Sequence, residues 1–179
     1  MKEKNGFTLV ELMISICISS MLVLTFYSII ASAVKTTSFL ESNEEIMQNG
    51  TYCIEYMKRE IRSAEKIISK DKIKGFNEKY KNSFGFVIQI RESEKTYNYV
   101  TYYLKNGKII RDACKSSSSY PNASVLRGEN EVARYIKSIS GSKVDFDKKK
   151  ITICLNLDRD KGKEKVIKTE VKIRCPVDY

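Results

Sequence analysis

The feature that most constrains this chain is an uncharged stretch near its N-terminus. The 23 residues from Leu12 to Val34 contain no Asp, Glu, Lys or Arg. At ~1.5 Å per helical residue this stretch spans roughly 35 Å, enough to cross a hydrocarbon layer of ~30 Å. Since 30% of all 179 residues are charged, apolar character is concentrated in this one segment. The sequence therefore predicts a transmembrane helix.

The charges before this stretch predict its orientation. Lys2 and Lys4 lie within the six-residue polar leader MKEKNG. Cationic residues that flank a membrane helix favour the cytoplasmic side. We therefore expect a single-pass protein of the inner (cytoplasmic) membrane, with everything after Val34 outside the cytoplasm.

One charged residue, Glu11, lies just inside the apolar block. A carboxylate at membrane depth costs about 2.5 to 3.5 kcal/mol on insertion scales, so it needs a partner. A cut between Gly6 and Phe7 would create an α-amine four residues before Glu11, on the same helical face. That amine, or its equivalent on a neighbouring subunit, would neutralise the carboxylate.

The residues from Gly6 to Glu11 read Gly-Phe-Thr-Leu-Val-Glu and lead directly into the apolar stretch. This segment resembles the class III leader of type IV pilins and pseudopilins. The resemblance implies that prepilin peptidase cuts after Gly6 and N-methylates Phe7. It also implies that Glu11 aligns an incoming subunit by pairing with the α-amine of a subunit already in the filament. Many family members have a proline midway through this stretch, whereas this chain has none between Phe7 and Val34.

The resemblance also implies a location and a set of partners. Such a subunit is held in the inner membrane and then enters a cell-surface filament. Its partners would be the prepilin peptidase, the membrane assembly platform, the major pilin and other minor pilins. The chain has no histidine, which excludes Ser-His-Asp and Cys-His nucleophilic sites and His-ligated metals. We expect a structural protein with no catalytic residue, no metal and no cofactor.

Two other interpretations of the N-terminus remain open. Ala31-Ser32-Ala33 is similar to a signal peptidase site, and cleavage there would release a soluble protein that begins at Val34. The apolar block is longer than the usual signal core of 7 to 15 residues, and Glu11 at its start is unusual for one. A plain signal anchor with an incidental Glu11 is the second alternative.

Apolar residues continue at helical spacing beyond the membrane segment. They recur every seven residues at Leu40, Met47, Ile54, Ile61 and Ile68, which predicts an amphipathic helix. We expect four segments: a leader at 1–6, a transmembrane and filament-core helix at 7–34, a helix packing on the head at 35–69, and a β-rich head at 70–179.

The second half of the chain has the pattern of strands. Asn106-Gly107 predicts a two-residue hairpin that pairs Leu104 with Ile109 and Tyr103 with Ile110. The expected fold class is α+β, a long N-terminal helix packed on an antiparallel sheet as in type IV pilins. The predicted strands are 84–90, 96–104, 108–113, 151–157 and 167–173, with a turn around Gly162 and weaker candidates at 135–139 and 143–146.

Three later patches are similar to minor pilins and pseudopilins of the PilW/PulJ type. They are residues 60–64, the hairpin from Tyr102 to Arg111, and residues 170–174. The resemblance implies a subunit that acts in initiation or at the tip of a type IV pilus or related pseudopilus.

Cysteines and paired aspartates are the remaining candidate sites. Asp145-Phe146-Asp147 and Asp158-Arg159-Asp160 offer oxygen ligands for calcium, but aspartate is also common in turns. An extracytoplasmic head permits disulfides, while free thiols remain the alternative. The four candidates for disulfides are Cys53, Cys114, Cys154 and Cys175, whereas Cys17 lies in the membrane segment.

A net charge of +10 raises an alternative function. A competence pseudopilin or adhesin could bind DNA or an anionic surface with a basic, tyrosine-rich head. High strand propensity explains the same tyrosines without a ligand. The residues concerned are Tyr97, Tyr99, Tyr102 and Tyr103, beside Lys95, Lys105 and Lys108.

Overall fold

The computed structural model describes residue 6 and residues 8–158 and 164–179. The chain divides into two compact units, residues 1–44 and 45–179, which we call the N-terminal unit and the head unit. The helices are α1 (Leu9–Ser63) and α2 (Phe76–Lys79), with 3₁₀ turns at Lys70–Lys72 and Ala123–Val125. The strands are β1 (Lys66–Ser69), β2 (Phe86–Arg91), β3 (Tyr97–Lys105), β4 (Lys108–Ser116), β5 (Asn130–Ala133), β6 (Ile136–Ser138), β7 (Lys143–Asp145), β8 (Lys150–Leu157), β9 (Lys165–Lys172) and β10 (Val177–Asp178).

The described strands of the head unit form two sheets. The first has six strands in the order β10-β1-β2-β3-β4-β5, and the second joins β6 and β7 to β8, which also pairs with β9. Of the described pairs, β1 with β10 is parallel and the others are antiparallel. The predicted α+β class, a long helix packed on mainly antiparallel sheet, is confirmed.

The hairpin between β3 and β4 has the predicted register. Leu104 pairs with Ile109 and Tyr103 with Ile110. Asn106 and Gly107 have φ of 51° and 73°, the positive values that a tight two-residue turn requires. Local turn chemistry therefore determines this part of the fold.

Helix α1 is shorter than predicted. It ends at Ser63, and residues 66–69, which we expected to be helical, form strand β1. Ile67 and Ile68 are both fully buried but belong to different core clusters, one on each face of the first sheet. A strand sends neighbouring side chains to opposite faces, so it buries both isoleucines. The seven-residue spacing from Ile61 to Ile68 is therefore not a helical repeat.

Two apolar clusters hold the head unit together. The larger lies between α1 and the two sheets and includes Ile54, Met57, Ile61 and Leu155. Gly50 allows the helix to come close, because a Cβ there would lie 2.8 Å from Cδ1 atoms of Leu157 and Ile167. The second cluster covers the opposite face of the first sheet, beneath α2 and residues 117–129. It includes Tyr80, Ile110, Ala123 and Leu126.

The remaining sequence predictions were partly correct. The strands expected at 151–157 and 167–173 correspond to β8 and β9, and the weaker candidates to β6 and β7. Strands β1, β5 and β10 were not predicted. Gly162 lies outside the described residues.

Candidate functional site at the N-terminus

Helix α1 begins with reciprocal hydrogen bonds between Thr8 and Glu11. The backbone N–H and the hydroxyl of Thr8 donate to Glu11 Oε2, at 2.9 and 2.8 Å. The backbone N–H of Glu11 is 3.3 Å from Thr8 Oγ1, and Leu12 N–H donates to Thr8 O at 3.2 Å. This is a capping box, with Thr8 as the N-cap residue and Glu11 three positions later.

The capping box gives Glu11 a role that the sequence analysis missed. The carboxylate satisfies a backbone N–H that has no partner within the helix, and it lies at the end of the helix that favours negative charge. Thr-Leu-Val-Glu before an apolar run fits the capping-box pattern of Ser or Thr followed three residues later by Glu. The signal was therefore present in the sequence.

The apolar part of α1 exposes its large side chains. Its large apolar side chains from Leu9 to Val34 are each 54–75% exposed. Hydroxyl groups in this part bond to carbonyl oxygens of the preceding turn: Ser15 to Glu11 O at 2.8 Å, and Thr25 to Leu22 O at 2.7 Å. Such local bonds let polar side chains lie in an apolar medium without unsatisfied donors. By length and composition α1 is able to cross a membrane, as is a cleaved signal sequence.

The structure describes only part of the predicted processing site. Gly6 is exposed, and no atom of the other described residues lies within 4 Å of a Cβ built on it. Phe7, the residue expected to become N-methylated, lies outside the described residues, as do Lys2 and Lys4. Glu11 is exposed at the start of α1, and Thr8 is its hydrogen-bond partner in the described part of the chain.

Comparison with known families adds one finding to this geometry. Residues 1–27 match the prokaryotic N-terminal methylation motif. The chain carries this N-methylation motif. No curated protein and no solved structure matches the chain.

The N-methylation motif includes Gly6, Phe7, the capping box and most of the apolar stretch. It supports a subunit of the type IV pilin family that is held in a membrane. The long helix packed on a mainly antiparallel sheet is a type IV pilin-like architecture.

The cysteines beyond the N-methylation motif form no disulfide in the structure. Cys53, Cys114, Cys154 and Cys175 are all free thiols. Cys53 and Cys175 belong to the larger core cluster, whereas Cys114 packs against the second cluster on the other face of the first sheet. Burial raises the pKa of the Cys53 thiol to about 12.

Three of the four tyrosines do not contribute to the exposed platform that the DNA-binding alternative requires, and the fourth, Tyr97, is half-buried. Tyr99 and Tyr102 are fully buried and Tyr103 is 7% exposed, so their ring faces are not available to stack on bases. Tyr102 donates a hydrogen bond to Glu60, and Tyr103 donates to Glu129 at 2.7 Å. Burial is the main cause that raises the pKa of both phenols. These side chains belong to the core, as their strand propensity suggested.

Two of the paired aspartates, Asp145 and Asp147, accept hydrogen bonds from other groups of the head unit. Asp145 accepts the backbone N–H of Lys148 at 2.9 Å, and this bond is the main cause that lowers its pKa. Asp147 accepts the hydroxyl of Tyr179 at 2.9 Å. In the second pair, Asp158 is described but Arg159 and Asp160 are not. Among the described residues, no group of three or more Cys, Asp or Glu side chains is arranged to hold a metal ion.

Proposed function

We propose that this protein is a minor pilin or pseudopilin, a non-catalytic subunit that acts in initiation or at the tip of a type IV pilus or related pseudopilus. The observation that carries the proposal is the position of Glu11. It caps the first turn of a long apolar helix, inside a segment that matches the N-methylation motif. A soluble head after such a helix has the form of a filament subunit.

The capping box suggests how Glu11 serves two partners. Both bonds from Thr8 go to Oε2. We assign the other oxygen, Oε1, to an α-amine. Cleavage between Gly6 and Phe7 creates that amine beside the cap, and a neighbouring subunit supplies the same group. In an apolar medium, attraction between an ammonium and a carboxylate is far stronger than in water, so the pairing selects subunits in the correct register.

The segments of the proposal follow from this processing step. Residues 1–6 are the leader that prepilin peptidase removes, and 7–34 form the membrane and filament-core helix. The amphipathic continuation ends at Ser63 rather than at residue 69. Lys2 and Lys4 keep the leader in the cytoplasm, so the head lies outside it. The major pilin, other minor pilins and the assembly platform are the proposed partners.

The minor-subunit assignment is supported by two of the patches similar to PilW/PulJ-type proteins. Glu60 belongs to the first patch and Arg111 to the second. In the structure these two side chains form an ion pair with an Nη2–Oε1 distance of 2.8 Å, between α1 and β4. The two patches are thus in contact within the head unit.

The first test is the mass of the mature protein purified from membranes of its host. We expect loss of residues 1–6 and a gain of one methyl group on the Phe7 amine. Retention of Met1, or a chain that begins at Val34, would contradict the proposal.

The second test uses the Glu11→Ala variant. We expect it to insert in the membrane and to be processed, but to be absent from filaments sheared from the cell surface. Assembly equal to that of the wild type would rule out a role for the carboxylate in filament entry. Glu44→Ala, which removes an exposed carboxylate outside the N-methylation motif, is the matched control and should assemble.

A further inference from the structure

The segment between β4 and β5, residues 117–129, lies across the second core cluster. We call this segment the strap. Two of its side chains, Ala123 and Leu126, are 1% and 0% exposed and pack in that cluster. The strap therefore covers apolar surface on the face of the first sheet that α1 does not cover.

Lys79, at the end of α2, connects the middle of the strap to the sheet. Its ammonium donates to Ala123 O at 3.1 Å and also to Leu126 O. The same nitrogen is 3.2 Å from Asp112 Oδ2, on β4. The Lys79 ammonium thus donates hydrogen bonds to two carbonyl oxygens of the strap and forms a salt bridge with one carboxylate of the sheet.

The buried carboxylate of Asp112 requires the positive charge of Lys79 beside it. The Asp112 side chain is completely buried in an apolar layer, with Tyr80 donating to Oδ2 at 2.6 Å. Among the described residues, its Oδ1 has no hydrogen-bond partner and Lys79 is its salt-bridge partner. A buried carboxylate is strongly unfavourable when its paired cation is removed. Proximity to Asp112 also contributes to raising the pKa of the Tyr80 phenol, after burial itself.

The other attachments of the strap lie mostly toward its ends. Gly128 N–H donates to Ala113 O at 3.1 Å, and Ser118 O accepts the hydroxyl of Tyr99 at 2.6 Å. Near the middle, Ala123 N–H donates to Lys74 O at 3.1 Å. The carbonyls of Ala123 and Leu126 therefore depend on Lys79 for their bonds to the rest of the head.

We propose that the strap opens as one unit and that the Lys79–Asp112 pair is the latch that holds it closed. An open pocket of about 460 Å³ lies beside the latch, lined by Glu78 and Lys79 of α2, by Asn122 and Ser124 of the strap, and by Lys74 and Gly75 just before α2. Opening changes the shape of this pocket and exposes Leu126. The inference concerns the head unit alone and does not depend on the proposed filament role.

Hydrogen exchange of the full-length protein in detergent tests the latch. In Lys79→Met we expect amides of residues 117–129 to exchange at least about tenfold faster, because the variant leaves Asp112 buried without a cation. Peptides from α1 and β8 should exchange as in the wild type. Lys81→Met removes an exposed lysine two residues away and is the matched control, with no change expected. Wild-type exchange of the strap in Lys79→Met would overturn the proposal.

Two further measurements test the proposal if Lys79→Met is poorly folded. The double variant Lys79→Met/Asp112→Asn removes the buried charge as well, so the strap should exchange more slowly than in Lys79→Met alone. In the wild type, exchange at increasing urea should show the strap opening at lower urea than β8. If the strap and β8 open together with one urea dependence, the strap is not a separate unit and the proposal fails.

Discussion

The guanidinium of Arg111 holds the carboxylate of Glu60 with two nitrogens. Its Nη2 and Nε lie 2.8 and 3.0 Å from Glu60 Oε1, and the two side chains are only 13% and 14% exposed. The residues are 51 positions apart in the chain, one on α1 and one on β4. Tyr102 donates a further hydrogen bond to Glu60. This contact fixes the helix on the first sheet.

Loss of the Glu60–Arg111 pair should destabilise the head. In Arg111→Met the nearly buried Glu60 loses its cation, and we expect the free energy of unfolding to fall by about 2–4 kcal/mol. Urea unfolding followed by circular dichroism measures the change. Lys58→Met breaks the more exposed Lys58–Glu55 pair on the same helix and should cost no more than about 1 kcal/mol. Equal effects of the two variants would show that the buried pair has no special role.

Two substitutions separate the two roles of Glu11. Gln also completes a capping box, so Glu11→Gln should keep the helix start but lose the pairing with the amine and fail to enter filaments. Thr8→Ala removes the cap hydroxyl at a cost of about 1 kcal/mol and keeps the charge, so filament entry should persist. Immunoblots of sheared filaments and of membranes measure both outcomes. Efficient entry of Glu11→Gln would mean that the cap, not the charge, matters.

A larger side chain at residue 50 should push α1 away from the second sheet. In Gly50→Val the new atoms meet Leu157 and Ile167, whose Cδ1 atoms already lie 2.8 Å from the Cβ position. We expect the free energy of unfolding to fall by about 1–3 kcal/mol, as for other overpacked cores. Thr51→Val introduces the same residue at an exposed position and should change stability by about 0.5 kcal/mol or less. Thermal unfolding of both variants provides the comparison.

The Cys53 thiol should make stability depend on alkaline pH. Burial raises its pKa from 9.0 to about 12, so the folded state keeps the thiol protonated after the unfolded chain has lost the proton. The contribution is fully present below pH 9.0 and is lost as pH rises toward about 12. Urea unfolding on both sides of pH 9.0 should show a steeper decline for the wild type than for Cys53→Ala. Because the tyrosines titrate in both proteins, parallel declines would exclude a contribution from Cys53.

The thiol itself provides an independent measurement. In the native protein Cys53 is 0% exposed, so it should resist a maleimide reagent that labels it rapidly in urea. Mass spectrometry of labelled peptides reports Cys53 separately from the other cysteines. Rapid labelling in the native state would contradict its burial.

Predictions from local patterns were the most accurate. The β3–β4 hairpin was predicted to the residue because Asn106-Gly107 determines its own turn. Strand β1 was assigned to the helix because Ile68 happens to continue a seven-residue spacing. Strands β5 and β10, of four and two residues, are too short to show a pattern and exist through pairing with their neighbours. The tyrosines of β3 were predicted as strand residues, and burial makes the ring faces of Tyr99, Tyr102 and Tyr103 unavailable for stacking on bases.

The sequence by itself determined how the N-terminal helix starts, because the apolar stretch and the Thr8–Glu11 cap act over a few neighbouring residues. The tertiary structure alone decided which charges are buried and what they hold together. Glu60 meets Arg111, and Lys79 meets Asp112, across separations of 51 and 33 residues. Those pairs depend on strand register and helix packing, which no local pattern of residues specifies.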